Sequence, residues 1–169
     1  MMKNNSIHQS IVNHSILGAG IVLLYASKFD DVEFVISISS RYNMKQQPNS
    51  RFTEQQMNDL KEKNKFYWQT LTYPSGKKRD LYIRSGQMEE RAAVDMNAVT
   101  SIKSSKVLII HGTNDPIISH ADGQMLQSLI PNSEIKLVEG ANHSYTHHRK
   151  QLDDTITEYL LKKMKNSRL

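Results

Sequence analysis

A chain of 169 residues with no cysteine is the size of a single domain, and it excludes disulfides, thiolate nucleophiles and cysteine-ligated zinc. Its 38% hydrophobic and 23% charged residues mark a globular rather than a disordered chain, and the longest strongly apolar run, residues 16–26, is too short to span a bilayer. The net charge of +5 is scattered, with a mild cluster at Lys162, Lys163, Lys165 and Arg168 that reads as a solvated helix end, so no nucleic-acid partner is expected.

The N-terminal "MMKNNSIHQS" has one lysine and no apolar stretch of signal-peptide length, so a cytoplasmic location is expected. "SIVNHSIL" (10–17) holds a short strand. "GAGIVLLYASK" (18–28) reads as a buried helix that starts on small residues, and "VEFVISIS" (32–39) as a buried strand. "QQPNS" (46–50) is a loop, and Thr53 with Gln56 fits a capping box for a polar helix to Lys63. "FYWQTLTYPSGKKRDLYIR" (66–84) reads as two strands around a Pro-Ser-Gly turn, and Ser85 as the cap of a further helix. Residues 46–104 are more polar than their flanks and interrupt the strand–helix alternation, so they are read as an insertion in one domain of residues 1–169.

Alternation then resumes: a buried strand "KVLIIHG" (106–112), a helix over 119–130, a strand "EIKLVEG" (134–140), and an amphipathic helix from about His147 to Lys165. Leu152, Ile156, Tyr159, Leu160 and Met164 share its apolar face. This order predicts an α/β layer architecture with a mostly parallel sheet of three or four strands, thin for the chain length. The open sheet edge that results is expected to favour self-association.

Two residues stand where chemistry is usually placed on such a sheet. Asp115 follows the strand ending at Gly112, and His143 follows the strand ending at Gly140. Both fall at the C-terminal ends of neighbouring parallel strands, the edge at which open α/β sheets bind ligands. An acid beside an imidazole there fixes the tautomer of the histidine and stabilises its protonated form. A metal reading is weak. His147 and His148 are adjacent, so on a helix they point about 100° apart, and only His143 with His147 has a chelating spacing.

"VLIIHGTNDPII" and "LVEGANHSY" resemble the acid and histidine motifs of the α/β-hydrolase superfamily, and more narrowly of its serine-aminopeptidase-like branch with lysophospholipase-like and esterase-like members. "HSILGAGIVLLYASKF" with "VEFVISISSRYNMK" resembles the nucleophile turn, helix and next strand of that branch. The resemblance covers residues 12–45 and 105–161, and the middle falls where the superfamily carries its variable cap. It implies a partial α/β-hydrolase fold lacking the first half of the family, including the loop for one oxyanion donor, a loss of about 3–4 kcal/mol of transition-state stabilisation.

By position, the resemblance makes Ser15 the nucleophile, His143 its general base, Asp115 the orienting acid and the Ile16 backbone N–H an oxyanion donor. The turn departs from Gly-x-Ser-x-Gly: Asn13 stands at the first glycine, Leu17 at the second, and Gly18 comes one residue late. The implied substrate is a small-molecule ester, or secondarily a short peptide, with no cofactor or metal. Two alternatives remain. One is a hydrolase-derived domain that binds without catalysis. The other is a dinucleotide-binding turn through Gly18 and Gly20, for which Leu23 stands at the third glycine and Arg41 replaces the acid expected about twenty residues on.

Overall fold

The computed structural model describes residues 10–13, 18–45 and 52–166. In chain order the elements are β1 (Ser10–Asn13), α1 (Gly18–Phe29), β2 (Phe34–Ile38), α2 (Glu54–Lys63), β3 (Lys65–Thr72), β4 (Lys78–Arg84), α3 (Ser85–Ala92), a 3-10 helix (Met96–Ser101), β5 (Lys106–Gly112), α4 (His120–Leu129), β6 (Ser133–Val138) and α5 (Arg149–Asn166). They divide into two compact units, Met1–Asn43 with Met96–Leu169, and Met44–Asp95.

The first unit holds a parallel sheet in the order β1-β2-β5-β6. Its central strands are apolar along nearly their whole length, as strands covered on both faces must be. Phe34, Ile36 and Ile38 of β2 and Leu108 and Ile110 of β5 form one core with Val138, Ala141, Tyr145 and Tyr159. Leu152, Ile156, Leu160 and Met164 of α5 pack against it, the face expected from their spacing. The alternate residues of the strands face the other way. There the Ser37 hydroxyl donates to the Ala19 carbonyl in the first turn of α1 (3.1 Å), which brings helix and strand into close contact. Gly18, Ala19 and Gly20 are all buried in that turn, so the small residues have a packing role.

The 3-10 helix was not anticipated from the sequence. Met96, Val99 and Ile102 are buried at a spacing of three, the period of a 3-10 turn rather than of an α-helix, and the segment packs against α1. Residues 96–104 therefore lie in the first unit. The start of β5 is pinned by Asp30, which follows α1 in a left-handed conformation (φ 47°). Its carboxylate accepts from the backbone N–H groups of Lys103, Ser104 and Ser105 at 3.1, 2.7 and 3.1 Å. Burial alone would raise the pKa of Asp30, but these bonds outweigh it and bring it down to about 2.

The second unit is a hairpin with two helices. Thr53 and Gln56 form the expected capping box: the Gln56 N–H donates to Thr53 Oγ1 (3.2 Å) and the Thr53 N–H to Gln56 Oε1 (3.0 Å). β3 and β4 pair antiparallel around a turn in which Gly76 takes φ +81°. Ser85 is not the cap of α3. Arg84 holds the N-cap position, its N–H bonded to Gln87 Oε1 (3.0 Å), and Ser85 is the first helical residue. The glutamine amide, three residues on, satisfies the donor without a serine hydroxyl.

Candidate active site

β5 and β6 are neighbours in the sheet, with His111 in register with Leu137 and Gly112 with Val138. The loops leaving them meet closely. A Cβ on Gly112 would lie 2.2 Å from the Ala141 carbonyl oxygen, so only glycine admits this approach. The Thr113 N–H donates to the Val138 carbonyl (3.0 Å), the Asn114 N–H to the Ala141 carbonyl (3.0 Å), and the Gly140 N–H to Thr113 Oγ1 (2.8 Å). These bonds lock the two strand ends together and bring Asp115 and His143 side by side.

The Asp115 side chain is fully buried and each of its oxygens has a distinct role. Oδ1 accepts from the backbone N–H groups of Ile117 (2.8 Å) and Ile118 (2.9 Å), which fixes the carboxylate plane. Oδ2 lies 2.7 Å from His143 Nδ1. A carboxylate is acceptor only, so Nδ1 carries the proton and Nε2 of a neutral ring is left with its lone pair. Burial by itself would raise the pKa of Asp115. Hydrogen bonds from His111, His143 and the Ile118 and Ile117 N–H groups more than offset it and hold the group below the usual carboxylate range.

His143 is nearly buried, at 8% exposure. The turn that carries it is set by Asn142, whose Oδ1 accepts from the Ser144 and Thr146 N–H groups (3.2 and 3.1 Å). Tyr145 follows with φ 53° and a fully buried ring, its hydroxyl 3.5 Å from Ser39 Oγ. Burial pushes the Tyr145 phenol up to about 12, so it stays protonated and can act only as a neutral hydrogen-bonding group.

Sequence reasoning missed three contributors. His111 on β5 is fully buried, with Nε2 3.0 Å from the Ile118 carbonyl and 3.4 Å from Asp115 Oδ2. The Arg41 guanidinium is buried and donates to the Ile117 carbonyl (2.7 Å), tying the segment after β2 to the Asp115 loop. Asp122 on α4 accepts from the Tyr42 N–H (3.1 Å), anchoring the same segment. The readable signal was a polar residue inside an apolar strand for His111, and a charge directly after a buried strand for Arg41.

Ser15 and Ile16 lie outside the described residues. His147 and His148 precede α5, which begins at Arg149, so they sit on a turn rather than a helix face. Among the described residues no cluster of three metal-ligating side chains occurs, and no helix is long and apolar enough to cross a membrane.

Residues 80–168, more than half of the chain, match the α/β-hydrolase family described as TAP-like protein. The chain belongs to this family. None of the curated proteins compared matches the sequence of this α/β-hydrolase. Among solved structures it is similar to Est1E from Butyrivibrio proteoclasticus, with a TM-score of 0.65 at 16% identity over 90% of this chain and 60% of that one. It is also similar to a bromoperoxidase from Bacillus anthracis, with a TM-score of 0.57 at 17% identity over 90% of this chain and 67% of the other. The esterase domain of a Rhodothermus marinus protein gives a TM-score of 0.51 at 17% identity over 81% and 53%. These likenesses show the fold. This α/β-hydrolase chain spans about 60% of the length of Est1E.

Proposed function

We propose that this α/β-hydrolase cleaves a carboxylic ester, and secondarily a peptide, through Ser15, His143 and Asp115. The supporting observation is the 2.7 Å contact of His143 Nδ1 with a buried Asp115 carboxylate at the C-terminal ends of adjacent parallel strands. That pair leaves His143 Nε2 as the base. In the reaction Nε2 takes the Ser15 proton as Oγ attacks the ester carbonyl, with the Ile16 N–H as a donor to the oxyanion. The alcohol leaves with the proton from His143, forming an acyl-enzyme. Water, deprotonated by the same nitrogen, then releases the acid. One of the similar structures is Est1E with ferulic acid bound, so a carboxylic acid of that size is a reasonable first product class to screen.

A fluorophosphonate probe tests the assignment. It should label the wild-type chain and leave Ser15→Ala unlabelled. Equal labelling of both removes Ser15 from the reaction, and labelling of neither supports a hydrolase-derived domain that binds without catalysis.

The sheet edge carries a second proposal. Among the described residues β1 pairs with β2 alone, and a free parallel edge templates association with another chain. Sizing chromatography should show concentration-dependent self-association; a clean monomer at high concentration contradicts it.

A further inference from the structure

β5 is a buried parallel strand in which every residue from Val107 to Ile110 is an aliphatic, and the next position is histidine. An imidazole there needs a reason, because burying a polar ring in such a strand costs free energy unless its nitrogens are used. The ring is fully buried on the face of the strand turned toward α4. Its Nε2 approaches two acceptors, the Ile118 carbonyl oxygen at 3.0 Å and Asp115 Oδ2 at 3.4 Å. Both are acceptors, so the proton sits on Nε2, in a hydrogen bond to the Ile118 carbonyl with Asp115 Oδ2 as the longer contact. The other nitrogen, Nδ1, has no hydrogen-bond partner among the described residues.

A second observation shows that the fold makes room for this ring. Gly123 lies inside α4, where glycine is a poor helix former. A Cβ at that position would stand 3.0 Å from His111 Nδ1. The helix therefore gives up a side chain where the imidazole edge abuts it. Ring, glycine and carboxylate form one arrangement: Oδ1 of Asp115 is held by two backbone N–H groups, and Oδ2 faces two imidazoles, His111 from inside the sheet and His143 from the loop.

We propose that His111 is a positioning residue for the reaction, donating through Nε2 to Asp115 Oδ2 and the Ile118 carbonyl so that the carboxylate is aimed at His143. This rests on the triad reading above. Without the His111 donor, Asp115 keeps its backbone bonds but loses the restraint on the oxygen that His143 uses. Orientation of His143, rather than affinity for substrate, is what changes.

The test compares His111→Leu, which keeps bulk and removes the donor, with His111→Gln, whose amide N–H reaches the place of Nε2. Proton NMR reads the low-field His143 Nδ1–H resonance, and fluorophosphonate labelling gives a maximal rate and a half-saturating probe concentration. In His111→Leu the resonance should shift or broaden. The maximal rate should fall about tenfold, the scale of one hydrogen bond to a charged group, with half-saturation unchanged. His111→Gln should recover most of both.

A folded His111→Leu with wild-type resonance and rate overturns the proposal, as does a folded His111→Gln impaired as much as the leucine variant. If the leucine variant does not fold, His111→Gln decides: the wild-type resonance retained supports the proposal, and its loss overturns it. If wild-type protein is not labelled at all, the triad reading fails on its own, while the resonance still reads the His111–Asp115–His143 contact. A resonance that moves in His111→Leu then sustains the positioning role, and one that does not move ends it.

Discussion

In the first unit β2 is buried at every position and β5 at every position after Lys106, whereas β3 and β4 of the second unit are exposed along most of their length. The second unit buries only Leu60 and Phe66 among its described apolar side chains. It relies instead on local devices: the Thr53 capping box, the Lys63–Asp59 pair at 2.8 Å, and Tyr67 edge-on to Tyr82 at 6.0 Å. The first unit is held by contacts between residues far apart in the chain, such as Asp30 with Ser104 and Asp115 with His143. The candidate site lies in the part whose geometry is fixed by a buried sheet.

The sharpest way to break this comparison is to cut into each unit with matched substitutions. Leu108→Ala, in the central strand, should cost about 2–5 kcal/mol by chemical denaturation. Leu71→Ala, exposed on β3, should stay within about 0.5 kcal/mol. Equal costs would contradict the contrast between a buried sheet and an exposed hairpin.

Acid should act next, through the first unit. Asp30 has its pKa lowered from 3.8 to about 2, and Asp115 is also lowered. A carboxylate whose folded pKa is depressed contributes its stability above the unfolded pKa and loses it as pH falls toward the folded one. Stability of the first unit should therefore decline from about pH 4 to about pH 2. Asp30→Asn should be less stable than wild type at pH 7 and nearly equal to it at pH 2; an unchanged difference across that range would contradict the assignment.

Smaller effects belong to the second unit. Thr53→Ala should cost about 1 kcal/mol, seen as faster amide exchange confined to α2, with β5 unaffected. Lys63→Ala removes an exposed i,i+4 pair and should leave the denaturation midpoint close to that of wild type.

Much of this was legible because period and punctuation are local. The apolar runs of β2 and β5, the Thr53-x-x-Gln56 box and the α5 stripe each carry their own signal within a few residues, and the two strand-end residues follow from topology. What stayed hidden depends on distant partners. His111 looks like one polar residue in a strand until Asp115 and Gly123 are placed beside it. Arg41 is an isolated charge until it meets the Ile117 carbonyl. The 3-10 segment reads as part of the polar middle because its three-residue burial period is too short to show as an amphipathic helix.

The role of the Asp115–His143 pair is read out by hydrolysis of a short-chain aryl ester by the wild-type chain, His143→Ala and Asp115→Asn. Wild type should turn over measurably, and kcat should fall about 10³-fold or more in each variant. Turnover that persists in both variants at the wild-type rate would contradict it.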